Sequence, residues 1–134
     1  MKKIIPLVAG LLLFYSCINN DNKLNFVYEI LPIDEYTVPA SFTFEVTDTI
    51  KVKYSLKNSC YFFDNIYYEY QDTTRIVAVR ALMETDKACA QAITQHEYKL
   101  IITPNQEEDY VFKFWKGLDS NGENIFEEVI VPVN

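Results

Sequence analysis

Cys17 is the residue whose surroundings most directly dictate a chemistry. Lys2 and Lys3 form a charged head, residues 4–15 form an apolar run of twelve, and Ser16 places a small side chain directly before the thiol. A small residue at the scissile bond and a free thiol behind it are what lipoprotein maturation requires, with the cysteine joined to diacylglycerol through a thioether. Ser16 fits a bacterial lipobox well; Phe14 and bulky Tyr15 fit it loosely. The apolar run is shorter than the roughly twenty residues that cross a bilayer, so it reads as a signal and not a permanent span. An ordinary cleaved signal with a coincidental cysteine and an uncleaved anchor are the alternative readings. The expected organisation is a signal at 1–16, the lipidated Cys17 with a polar tether at 17–23, and one domain at 24–134. The expected location is the cell envelope, lipid-anchored to the outer membrane and facing either the periplasm or the surface.

Two further cysteines remain once Cys17 is lipidated. In an oxidising compartment Cys60 and Cys89 form an even pair, for which a disulfide is the default and free thiols are the alternative. A metal site needs more ligands than the single histidine, His96, supplies seven residues beyond Cys89. Calcium is the one cofactor weighed: Asp119-Ser120-Asn121-Gly122-Glu123-Asn124 sets oxygens around a glycine, but it lacks the distal bidentate glutamate and reads as a hairpin turn. Neither a metal nor any other cofactor is expected.

Catalysis fares no better. A serine nucleophile would have to use His96, and no strained elbow marks its partner. The paired acids at Glu107-Glu108-Asp109 and Glu127-Glu128 are numerous enough for glycoside hydrolysis, yet adjacent acids on a strand point to opposite faces. The chain therefore reads as a non-enzyme with no catalytic residues. Its aromatic run, Tyr61, Phe62, Phe63, Tyr67, Tyr68 and Tyr70, offers rings that stack on sugars or pack on proteins. Half must point inward, with Phe62 and one partner expected in the core. Tyr61, Tyr67, Tyr68 and Trp115 form the candidate binding surface.

The elements that would carry these residues are strands. Ten tyrosines, nine phenylalanines and abundant Val, Ile and Thr favour them. Candidate strands are 23–31, 40–46, 49–56, 61–70, 73–83, 97–103, 110–116 and 123–131. Phe42, Phe44 and Val46 alternate onto one face, as do Ile50, Val52, Tyr54 and Leu56 against Lys51 and Lys53. Tyr110, Phe112 and Phe114 alternate with Val111, Lys113 and Trp115. Period two with one polar face means half-buried antiparallel sheet. Pro32 and Pro39 bracket an irregular crossing, Gln71-Asp72 makes a tight turn, and Gly117 to Gly122 closes a terminal hairpin. Residues 84–96 read as a loop with at most one helical turn, clamped by Cys89. The fold class is all-β, an immunoglobulin-like β-sandwich of seven to eight antiparallel strands. Tyr110, opening its strand after a proline-containing corner, suits the tyrosine corner of such folds.

Asn58-Ser59-Cys60-Tyr61-Phe62-Phe63, Thr74-Arg75-Ile76-Val77-Ala78-Val79, Cys89 and the stretch from Tyr110 to Gly122 resemble small uncharacterised lipoproteins of Bacteroidota-type bacteria. The resemblance spans most of the mature chain, and it implies a lipid anchor, one Ig-like domain and a cysteine pair. It implies no activity.

Charge narrows the partners. Without Lys2 and Lys3 the mature chain has ten basic and nineteen acidic side chains, a formal charge near −9. Nucleic-acid binding needs clustered cations, and Lys51, Lys53 and Lys57 are interleaved with strand residues, so no nucleic acid is expected. The functional expectation is a membrane-anchored extracytoplasmic adaptor or binding module with a protein partner. Its alternative is a carbohydrate-binding accessory lipoprotein using exposed tyrosines, and a protease inhibitor presenting 84–95 is a weaker third. A concave row of rings favours sugar; a convex apolar patch favours protein.

Overall fold

A computed structural model describes residues 25–134, so the expected signal, Cys17 and the expected tether lie outside the described residues. Eight strands follow one another: β1 (Phe26–Leu31), β2 (Glu35–Thr37), β3 (Asp48–Leu56), β4 (Tyr61–Gln71), β5 (Thr74–Glu84), β6 (Thr94–Ile102), β7 (Tyr110–Leu118) and β8 (Asn124–Val131). They form a five-stranded sheet and a three-stranded sheet, ordered β2-β3-β6 in the smaller. No helix occurs among the described residues.

The larger sheet is organised on β5. One side of β5 pairs with β4 along its length. The other side is divided: β7 runs parallel to Thr74–Val77, and β1 runs antiparallel to Val79–Glu84. Beyond β7 lies β8, the second half of the expected terminal hairpin. All other ladders between strands are antiparallel, so the β5–β7 contact is the departure from the expected pairing.

The alternating patterns make the core. Ile50, Val52 and Tyr54 of β3 are buried while Lys51 is exposed. Tyr110, Phe112 and Phe114 of β7 are buried and stack along the strand at 5.8 and 6.0 Å. Tyr36 of β2 closes the column on Phe114 at 4.0 Å, and Phe42 meets Tyr110 and Phe112 edge-on. Leu31, Val77, Val79 and Val131 complete the apolar layer between the sheets. The tyrosine corner is present: the Tyr110 hydroxyl accepts from the Asn105 backbone N–H and donates to Asn105 Oδ1, both at 3.2 Å.

The cysteines are joined, Cys60 to Cys89, with Cα atoms 5.4 Å apart. Cys60 lies in the turn between β3 and β4, and Ser59 N donates to Ala90 O at 3.1 Å. Ser59 Oγ accepts from Ala90 N at 2.7 Å. The bridge thus clamps the loop to the end of the sandwich and does not cross the core. That loop contains no helical turn.

Three expectations change. Residues 40–46 are not a strand; Phe42 alone makes a parallel bridge, to Val133. Glu45 sits at φ 60° and Val46 N closes a turn onto Thr43 O, so the alternation stops and Phe44 and Val46 are exposed. The proline-bracketed crossing contains β2, whose three residues pair with β3. β6 starts at Thr94, three residues early, because Thr94, Gln95 and His96 pair with Leu56, Ser55 and Tyr54 through backbone while their side chains stay exposed.

Candidate functional site

A bulge decides which rings face outward. Between Phe63 and Asn65 the β4–β5 register shifts by one residue. Before it, Tyr61 and Phe63 face inward; after it, Ile66 and Tyr68 do. An extra residue in one strand reverses the side-chain parity beyond it. Phe62, expected in the core, is therefore exposed. Tyr61 and Tyr68 leave the candidate surface: Tyr61 is 8% exposed, and Tyr68 packs against the core. Tyr67 and Trp115 stay on the outer face, on strands either side of β5.

These two rings flank a groove of about 540 Å³ on the outer face of the five-stranded sheet. Ala78 and Ile76 of β5 are also in its lining, with Ile30 from β1 and Phe126 from β8. Ala78 is directly opposite Tyr67 in the ladder, and Phe126 is opposite Trp115. A methyl group where a strand would ordinarily carry a branched side chain leaves the floor low.

The walls are held in place. Trp115 Nε1 donates to Asn124 Oδ1 at 2.9 Å. The Tyr67 hydroxyl donates to the Glu69 carboxylate, and Gln71 Nε2 donates to its other oxygen at 3.0 Å. The Tyr67 hydroxyl and then the Gln71 amide hold Glu69 below the usual carboxylate range, so it is ionised at neutral pH. Lys113 brings a cation into the lining, with Nζ 4.0 Å from Glu128. The groove combines fixed aromatic faces with an anion, a cation and amides, an arrangement suited to binding.

The inward tyrosines set a pH response. Tyr61 is pushed up to about 12, first by its hydrogen bond to Glu29 and then by burial. Tyr68 is pushed up to about 12 by burial, with Arg75 opposing. Unfolded tyrosine ionises near about 10. The protonated phenols thus contribute stability that is whole below about pH 10 and is lost as pH rises through about 12. Alkaline titration should show phenolate absorbance and β circular dichroism changing together in that window. Full ionisation with the dichroism intact would count against it.

Other candidates have structural roles. His96 is exposed, stacks on Tyr54 at 5.7 Å and shares a hydrogen bond with Thr94. Asp119 Oδ1 accepts from Asn121 N at 2.8 Å and Glu123 N at 2.9 Å, so that oxygen organises the hairpin turn. Among the described residues no three His, Cys, Asp or Glu side chains cluster as metal ligands. Glu127 accepts from the Tyr36 hydroxyl, whereas Glu128 faces Lys113. The sequence reading missed Ala78, Ile30 and Phe126. One signal was present: a lone alanine inside the run Ile76-Val77-Ala78-Val79.

Fold and groove together define a β-sandwich with a ligand-sized concavity on one sheet. Residues 50–131, more than half of the chain, match the family described as ORF11 beta-sandwich domain, and the chain belongs to that family. No curated protein and no solved structure matches it.

Proposed function

We propose that the chain is a non-catalytic, extracytoplasmic binding module, anchored to the membrane through Cys17, whose ligand occupies the groove between Tyr67 and Trp115. The supporting observation is the concavity itself, with two immobilised rings at its sides. Of the two ligand classes, a glycan suits it better than a protein surface. Ring faces pack on the C–H faces of a sugar, and Glu69, Gln71 and Lys113 supply acceptors and donors for hydroxyls.

Trp115 is the single tryptophan, so its emission reports on the groove. Envelope oligosaccharides should change that emission saturably. Ala78→Leu, which raises the floor, should weaken binding by about tenfold or more, roughly 1.4 kcal/mol. Because Ala78 is 2% exposed, the change should also lower stability by about 1–3 kcal/mol, so binding is compared at a temperature where dichroism shows both proteins folded. A flat titration with every saccharide would remove the glycan reading. Capture of an envelope protein by wild type but not by Trp115→Ala would then put a protein in its place. The anchor is tested separately: Cys17→Ala should move the protein from the detergent phase to the aqueous phase. Unchanged partitioning, with no fatty-acid label on wild type, would remove the lipoprotein reading.

A further inference from the structure

Arg75, on the inner face of β5 at the opposite side of the sheet from the groove, is a buried cation without a counter-ion. It is 3% exposed. Among the described residues no carboxylate forms an ion pair with it. Its Nη1 donates to Asp72 O at 2.6 Å and Thr74 O at 3.1 Å, and its Nη2 donates to Gln106 Oε1 at 2.8 Å. Its Nε–H has no acceptor. Buried charges are ordinarily paired, because leaving one uncompensated is strongly unfavourable.

The surroundings say what would compensate it. Cζ lies 4.4 Å over the Tyr70 ring and 5.0 Å over the Tyr110 ring, so the guanidinium rests against two aromatic faces. One edge, Nη1, is filled by two carbonyls. Nη2 meets the neutral Gln106 amide oxygen and Nε–H has no acceptor, while the guanidinium also faces the Tyr68 phenol, whose ionisation it favours. Beside Arg75 is a cavity of about 200 Å³, also lined by Tyr68, Thr103 and Asn105. A carboxylate and a phosphate can each meet such a fork bidentately, and a carboxylate, with one negative charge, balances the single guanidinium charge without leaving an excess in the cavity.

We propose that this cavity is a second ligand site, which takes the carboxylate of a small organic acid on the Nε and Nη2 edge of Arg75, displacing the Gln106 amide oxygen. One carboxylate oxygen accepts from Nε–H and the other from Nη2–H. Two hydrogen bonds between ionised partners replace one bond to an uncharged acceptor and an orphaned donor.

Acetate titration of the detergent-solubilised full chain, followed at the Arg75 Nε–H resonance by heteronuclear NMR, tests this. The expected result is a saturable shift with half-saturation at about 1–10 mM, the range for one fork contact. Acetamide and chloride at matched ionic strength should not reproduce it. Gln106→Glu places a carboxylate on the fork from within, so it should show a displaced resonance, no further response to acetate and a higher melting temperature. Gln106→Ala removes the resident acceptor and should tighten acetate by about fivefold. A response no greater than that to chloride, a saturable response retained in Gln106→Glu, or weaker binding in Gln106→Ala would overturn the site.

Discussion

Phe112→Ala should lower the stability of the domain by about 3–5 kcal/mol, the sum of lost transfer energy and the cavity left behind. Phe112 has no exposed surface, and its ring lies between those of Tyr110 and Phe114 in the column along β7, with Phe42 against its edge. Tyr110 and Phe114 are in a strand of a ladder and cannot collapse into the void without breaking register, and Phe42 is fixed by its bridge to Val133. Small domains hold about 5–15 kcal/mol in all, so the variant should melt far below wild type. Trp115→Ala, one position past buried Phe114 but facing the groove, should cost under about 1 kcal/mol in stability and abolish the emission response by removing the reporter and the wall together. Binding in that variant is read by calorimetry. Dichroism melts on both proteins decide the facing of β7: an unfolded Trp115→Ala beside a tolerant Phe112→Ala would reverse it.

Reducing the Cys60–Cys89 bond should remove about 3–4 kcal/mol, because the bridge closes a span of 29 residues in the unfolded chain. That corresponds to a fall in melting temperature of roughly 15 °C for a domain of this size. The β signal should survive at low temperature, since no ladder depends on the bond. Loss of order should begin in residues 85–93 and in the first three residues of β6, which pair through backbone with exposed side chains. Two alkylatable thiols on the native, unreduced protein would contradict the bridge. So would a midpoint unmoved by reduction.

The parts of the fold that the sequence announced are those where one face is dry and the other wet. In β3 and β7 burial follows strict alternation, so Ile50, Val52, Tyr54, Phe112 and Phe114 could be placed from the period alone. Alternation misled at 40–46, where a single positive φ at Glu45 overrides three well-spaced apolar residues. It misled in β4 too, where the tyrosines are so dense that either parity reads as a core, and only the bulge after Phe63 chooses. No residue type in Asp64-Asn65 demands a bulge, so the inward turn of Tyr61 and Tyr68 was not legible. The groove was half legible: Tyr67 and Trp115 could be proposed as exposed rings, but strand order alone brings β4, β5 and β7 together, and the parallel β5–β7 contact has no local signature. Arg75 was unreadable for the same reason, since its covering rings come from β4 and β7.

The pairing of β1 determines how the domain meets mechanical load. A pull on the chain before Asn25 enters at β1, whose six residues from Phe26 to Leu31 pair with Glu84 to Val79 of β5. Tension along the strand shears that ladder, loading its hydrogen bonds simultaneously, while tension across it would peel them one by one. At the loaded end Asn25 O accepts from Thr85 N at 2.7 Å, and Glu84 N donates to Cys60 O at 2.9 Å beside the covalent bridge. The force is therefore handed to β5 at the point where the chain is cross-linked, and because Ile30 of β1 and Ala78 of β5 line the groove, load on the anchor side reaches the groove floor directly.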